Sequence, residues 1–272
     1  MNLKDKLVSS YLAFDDHLED ESPIHEIRKK AILIFEEKGF PTKREEDWKY
    51  TSLKSILNKD YCVFPKGNKE VKFKKVRNYF LYDIDSYKLV FIDGVYSSFL
   101  SETTHEGLDV CLLSSALSKS KYKAVIENYY NKAASKNSIS ALNTAFAREG
   151  AYINIPKNKE VEKPIEIINF STGNESALMI QPRNLIVIGE NAHAQIIERH
   201  QSLTTNSVFT NSVTEVFTEK RAYLDYYKIQ NDKENASLID NTTIHQEQDS
   251  ICKLHSFSLG GKLTRNNLNF IQ

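Results

Sequence analysis

Between residues 184 and 270 the chain repeats itself. Ala194-Gln-Ile-Ile-Glu-Arg-His200 aligns without gaps over Tyr223-Leu-Asp-Tyr-Tyr-Lys-Ile229, and that over Cys252-Lys-Leu-His-Ser-Phe-Ser258, in steps of 29 residues. A polar corner precedes each segment, at Glu190-Asn191, Glu219-Lys220 and Gln248-Asp249. Before each corner runs a second extended segment, Leu185 to Ile188, Thr214 to Phe217 and Thr243 to Gln246, at the same spacing. A period of this length belongs to stacked or radial repeats. Val, Ile, Thr, Tyr and Phe dominate the segments, and none carries apolar residues at helical spacing for three turns, which excludes a helical solenoid. Propeller blades need about 40–45 residues, and a left-handed hexapeptide helix would show a six-residue period. The expected fold is therefore mainly β: a right-handed parallel β-helix of about 29 residues per repeat, preceded by a small α-helical N-terminal domain. In such a stack no rung buries its own inward face; its neighbours do.

Three regions are expected: a helical N-terminal domain over 1–60, a mixed strand and helix connector over 61–150, and an incomplete parallel β-helix over 151–272. In the first, Leu3, Leu7, Tyr11, Leu12 and Phe14 are placed on one helix face, and Ile24, Ile27, Ala31, Ile34 and Phe35 on a second. Ser22-Pro23 is placed at the start of that second helix and Gly39 at its end. The stretch from Pro41 to Leu53 holds the single Trp of the chain and dense charge. It reads either as a turn whose Trp48 and Tyr50 pack on the helices while Arg44 and Glu45 stay solvated, or as a docking surface. In the connector, Tyr61 to Phe64 and Lys88 to Tyr96 read as strands, the latter turning at Asp93-Gly94. Tyr122 to Ala134 has helical spacing, and Ser140 to Phe146 extends it or starts another helix. After Gly150 the period changes to two.

The 272 residues contain 36 basic and 36 acidic side chains, so charge gives no reason to expect nucleic acid or an anionic membrane as partner. No apolar run approaches 18 residues and no signal peptide leads the chain, so a soluble, cytoplasmic protein is expected. Cys62, Cys111 and Cys252 are far apart, with no C-x-x-C, so neither a disulfide framework nor a zinc site follows. No P-loop or dinucleotide fingerprint occurs.

Four histidines, His193, His200, His245 and His255, fall in the repeat, while His17, His25 and His105 are scattered. Cys252 and His255 are three residues apart and point to opposite faces of a strand, so they do not share a metal; Cys252 reads as core. His200 is expected to be exposed at a corner. Asp225 and Glu198 are out of register and make no acid–base couple. Tyr223, Tyr226, Tyr227, Phe257 and Phe270 are expected to stack along the solenoid. An acidic, calcium-holding cleft of a secreted polysaccharide-acting β-helix enzyme is not visible. The reading assigns no catalytic, cofactor-binding or metal residue, and a non-enzyme.

Several of these stretches resemble the SufB/SufD family of iron–sulfur cluster assembly subunits. Pro-x-x-Arg-x-Glu-x-Trp-Lys-Tyr-Thr at Pro41, Arg44, Glu46, Trp48, Lys49, Tyr50 and Thr51 is similar to the N-terminal signature of its SufD branch. Leu142 to Phe146 with Gly150 and Ala151 to Pro156, Lys163 to Ile167, and Gly260 to Leu268 are similar to further family motifs. The resemblance implies a non-catalytic scaffold of the SufBCD complex that pairs with a SufB-like paralogue and a SufC-like ABC ATPase. It implies no cofactor in this chain, with an iron–sulfur cluster assembled by the intact complex. It also implies that the chain is truncated: the SufB contact, its histidine and the SufC-binding helices would lie beyond Gln272. A β-helix interaction scaffold unrelated to iron–sulfur assembly, and a β-helix polysaccharide-acting enzyme, are the alternatives.

Overall fold

The computed structural model describes residues 2–15, 23–66, 76–102, 107–133, 137–173 and 177–272. Two sheets face each other across an apolar axis, and the chain coils from one to the other. The first carries β2 (Tyr87–Ile92), β6 (Ile165–Ser171), β9 (His193–Ser202), β11 (Tyr223–Asn231) and β13 (Ile251–Ser258), each parallel to the next. The second carries β5 (Ala151–Ile155), β8 (Arg183–Ile188), β10 (Val208–Thr218), β12 (Ala236–Gln246) and β14 (Leu263–Ile271), also parallel. β7 (Ala177–Ile180) pairs with the first part of β10, and β1 (Tyr61–Cys62) pairs with the other edge of β7. Pro182, which has no N–H to give a ladder, separates β7 from β8, where the next turn runs unbroken as β10. The chain is thus the expected parallel β-solenoid with a helical N-terminus.

Antiparallel strands close the first turn. β3 (Val95–Tyr96) folds back on β2 through Asp93 and Gly94, both at positive φ, and β4 (Asp109–Leu112) pairs antiparallel with β5. The strand read over Tyr61 to Phe64 is shorter, and the helix read over Tyr122 to Ala134 spans only Lys123–Tyr129; Ala134 lies outside the described residues.

The register corrects the uniform period. Ala194 pairs not with Tyr223 but with Leu224, thirty residues on, and Leu224 pairs with Cys252, twenty-eight further. In the second sheet Tyr152, Leu185, Glu215 and Thr243 follow one another at steps of 33, 30 and 28. Part of the contraction lies in the strands, since β9, β11 and β13 have 10, 9 and 8 residues. A one-residue slip would have turned Tyr223 inward and Leu224 outward, exchanging the core for the surface along the whole strand. The step of 29 is the mean of two unequal turns, and an ungapped alignment cannot distinguish it from them.

The corners are stacked as well. Asn158, Asn191, Arg221 and Asp249 all have φ between 54° and 60°, one at each successive corner. Asn191 Nδ2 donates to Asn158 Oδ1 at 2.9 Å, and Arg221 Nε donates to Asn191 Oδ1 at 2.7 Å. Left-handed backbone suits Asn and Asp; Arg221 adopts it while its side chain continues the ladder.

The N-terminal helices sheath the outer face of the second sheet. Leu3, Leu7 and Tyr11 of helix Leu3–Asp15 and Ala31, Ile32 and Phe35 of helix Pro23–Lys38 share one core with Met179, Phe209 and Ile239. Leu12 is 55% exposed, against expectation, because one helical step from Tyr11 rotates it by about 100°. Ile32, rather than the half-buried Ile34, completes the second face. The proposed Ser22 cap lies outside the described residues; Gly39, at φ 65°, ends the helix with a bond to Phe35. Trp48 is buried as expected, but Tyr50 is 91% exposed: Trp48 closes the turn Glu46–Trp48 toward the core, and Tyr50 falls on the solvent side.

Two of the sequence motifs meet here. The Arg265 guanidinium lies 4.2 Å from the Trp48 ring centroid, and its Nη1 donates to Thr51 Oγ1 at 2.9 Å. A side chain of β14 thereby ties the last described turn to a stretch 214 residues earlier.

Helix Ser138–Phe146 is buried along its length and is pinned by polar side chains. Asn143 Nδ2 donates to the carbonyls of Pro182 and Asn211, both at 2.8 Å. Arg183, fully buried, donates to Thr144 Oγ1 at 2.8 Å and forms an ion pair with Glu215 at 2.5 Å. The Glu215 carboxylate also accepts from the backbone N–H groups of Asn131 and Ala133, each at 2.9 Å. Gly150 has to be glycine, because a Cβ there would fall 1.7 Å from the Arg183 carbonyl oxygen.

Glu215→Ala strands a buried guanidinium and two N–H groups, and we expect a loss of about 3–5 kcal/mol in urea unfolding. Breaking the exposed Lys157–Glu190 pair should leave the urea midpoint nearly unchanged.

Candidate functional site

The interior of the solenoid is divided along its length. At one side Ile186, Ile188, Ala194, Ile196, Val216, Leu224 and Ile244 form a dry core. Alternation then carries each strand across to polar residues that also point inward. β9 contributes Glu198 and His200, β11 contributes Tyr226 and Lys228, and β12 contributes Asp240 and Thr242. Every one of these side chains is buried.

Glu198 is the hub. Its Oε1 lies 3.1 Å from His200 Nε2, its Oε2 lies 3.1 Å from Lys228 Nζ, and the Tyr226 hydroxyl donates to Oε2 in a short hydrogen bond. Lys228 Nζ also reaches Asp240 Oδ2 at 2.7 Å and Thr242 Oγ1 at 2.6 Å. Burial would raise the Glu198 carboxyl, but the Lys228 charge and the His200 and Tyr226 contacts outweigh it and hold the group well below the ordinary carboxylate range. Burial would likewise lower Lys228, but Asp240 and Glu198 hold it above its ordinary value. Burial, then the Glu198 charge, keeps the Tyr226 hydroxyl protonated far above its usual range. The arrangement holds the Glu198 carboxylate and the Lys228 ammonium in their charged forms inside a low-dielectric core.

Beside this network lies a small cavity of about 10 Å³ lined by His200, Lys228, Gln230, Asp240, Ser256 and Asn266 among others. A larger cleft of about 280 Å³, outside the solenoid among Phe14, Arg28, Arg148, Glu149 and Gln181, shares none of these residues.

His200 is therefore not the exposed corner residue expected from its neighbours; it is 5% exposed and faces inward, because it keeps phase with Ala194, Ile196 and Glu198. Glu198 faces inward while Asp225, beside Gln195 in the outward row, does not, so these two do not meet. Cys252 lines the core below Leu224, and burial, with Asp225 nearby, pushes its thiol up to about 12. His255 is on the other face, its ring stacked on Tyr227 at 5.0 Å and 15°. His193 packs on Tyr223, and His245 lies 3.9 Å from Glu247. His25 is buried on its helix; His17 and His105 lie outside the described residues. Of the aromatics expected to stack, Tyr223 and Tyr227 pair with histidines, Tyr226 turns into the network, and Phe257 and Phe270 are 50% and 44% exposed.

Sequence reasoning missed Glu198, Lys228 and Asp240 as a group. The signal was a register of 30, which places Lys228 beside Glu198; at 29 the two are out of phase. Asp240 comes from the opposite sheet, and nothing local marks it.

Residues 1–167 match the family model described as SufBD protein N-terminal region, and residues 169–272 match the SUF system FeS cluster assembly, SufBD core domain. An iron–sulfur cluster assembly SufBD family protein of Synechocystis is 29% identical over 254 residues, covering 90% of this chain and 56% of the relative. The iron–sulfur cluster assembly protein SufD of Escherichia coli is 25% identical over 236 residues, 84% of this chain and 51% of the relative. The protein SufB of Bacillus subtilis is 30% identical over 131 residues, 47% of this chain and 27% of the relative. The chain thus spans about half the length of the first two relatives. Among the described residues no helix is long and apolar enough to cross a membrane.

Glu198→Gln leaves Lys228 paired with Asp240 alone and weakens the hydrogen bonds of Tyr226 and His200, and we expect a loss of about 1–3 kcal/mol in urea unfolding. A loss below about 1 kcal/mol would mean that water already screens the pair. Of the three free thiols, exposed Cys62 should alkylate first at pH 8, and Cys252 only after denaturation or toward its raised titration range.

Proposed function

This chain belongs to the SufBD family, and on that premise we propose that it is part of a cytoplasmic scaffold subunit, itself non-catalytic, in iron–sulfur cluster assembly. The observation that carries the reading is the pair of family models, which together take in the helical sheath and the solenoid alike. The intact subunit pairs with a SufB-like paralogue and binds a SufC-like ABC ATPase, and the iron–sulfur cluster is product of the complex rather than a resident group of this chain.

The physical contribution is stiffness. Parallel ladders run through both sheets from turn to turn, so a rotation applied at one end passes along the stack. The sheath adds a second tie, since Trp48 and Thr51 hold Arg265 of β14, and Asn143 and Arg183 lock a helix across β8 and β10. Nucleotide-driven motion of the ATPase would thereby reach the paired solenoids with little lost to bending. The half-buried thiols of Cys111 and Cys252, both raised by desolvation, suit a structural role better than sulfur transfer.

Affinity purification of the full-length protein from its own cells tests the proposal. We expect an ABC ATPase and a SufB-like protein to co-purify in fixed stoichiometry; recovery of unrelated proteins alone would overturn it.

A further inference from the structure

Inside the solenoid, we infer that Glu198, His200 and Asp240 form a binding site for one divalent first-row transition-metal ion, with the Lys228 ammonium as the resident cation it competes with. The inference does not rest on the scaffold reading, and a metal-free scaffold would leave that reading intact.

Three observations carry it. The first is the donor set. One ligand atom from each of the three side chains lies within 4.8 Å of the others, and all three residues are buried. Glu198 Oε1 and His200 Nε2 are 3.1 Å apart. In a tetrahedral or octahedral shell with bonds of about 2.1 Å, neighbouring donors lie roughly 3.0–3.5 Å apart, so this edge is already set. One imidazole with two carboxylates is a donor set suited to Fe²⁺, Mn²⁺, Co²⁺ or Zn²⁺ rather than to the all-oxygen preference of Ca²⁺.

The second is that the network leaves acceptors over. Asp240 Oδ1 and Gln230 Oε1 are buried with no hydrogen-bond partner, and both residues line the 10 Å³ cavity beside His200. Buried acceptors normally find a donor, so two residues with an unpartnered oxygen on the lining of one void, which His200 shares and Glu198 does not, mark a place suited to something positive or donating. The void is at the lower limit for one water and is adequate for a bare ion.

The third is charge. Two carboxylates, Glu198 and Asp240, share the one Lys228 ammonium, which bridges them at 3.1 and 2.7 Å and shows where positive charge is held.

The test uses anaerobic titration of the purified chain with Co²⁺, read by its visible absorption, and thermal melting with and without Zn²⁺. We expect one Co²⁺ per chain. His200→Gln should weaken it at least tenfold, while His255→Gln, which removes an exposed imidazole, should leave it unchanged. Lys228→Gln removes the competing ammonium and should bind Co²⁺ at least tenfold more tightly, with a larger Zn²⁺-dependent rise in Tm than the parent chain. This variant keeps the test decisive if His200→Gln does not fold, since a core with two facing carboxylates and no lysine gains most from the ion. The inference is overturned if the parent chain binds no Co²⁺, if His200→Gln binds it as well as the parent, or if neither affinity nor melting of Lys228→Gln responds more strongly to metal. An ordered water in the cavity, seen at high resolution in crystals soaked with Co²⁺, would overturn it equally.

Discussion

Register between successive turns is the constraint on which the rest of this molecule depends. Each turn presents an inward row that only its neighbours can cover, and the row is chosen by a periodicity of two, so a shift of one residue would exchange inside for outside. The apolar column through Ala194, Leu224 and Cys252 and the polar column through Glu198 and Lys228 are two readings of the same pairing. Holding one in place holds the other. The corner ladder of Asn158, Asn191 and Arg221 repeats the register at the rim, where left-handed backbone and side-chain bonds fix where each strand begins.

The interior charges follow from that geometry rather than from local chemistry. A carboxylate on β9 and an ammonium on β11 become neighbours because the turn between them has thirty residues, and a second carboxylate arrives from the facing sheet. Buried ion pairs add little stability compared with a well-packed apolar substitute, yet breaking one is costly. Such a group penalises any register that separates its members, and so acts as a key for the correct stacking of turns.

Outside the solenoid, the sheath does comparable work with different means. Helix Ser138–Phe146 has no exposed face, so its polar side chains, Asn143 and Thr144, must find partners in the sheet, and they do so at Pro182, Arg183 and Asn211. Arg183 and Glu215 bring the connector down onto the same surface. Trp48 and Arg265 join two stretches far apart in sequence. The family to which the chain belongs is thereby visible as a physical unit: the motifs that resemble its members are largely those that bind sheath to solenoid.

The amino-acid sequence alone determined the class of fold, the places of the corners, the change from helical to strand period after Gly150, and the inward position of Cys252. These depend on local alternation and on turn-forming residues, which are written within a few positions of one another. Only the tertiary structure decided the unequal turn lengths, the exposure of Leu12 and Tyr50, and the inward turn of His200 into a network with Glu198, Lys228 and Asp240. The reason is the same in each case. Local pattern states which residues share a face, but which face is covered, and by what, is settled by the pairing of strands some thirty residues apart and by the helices laid over them.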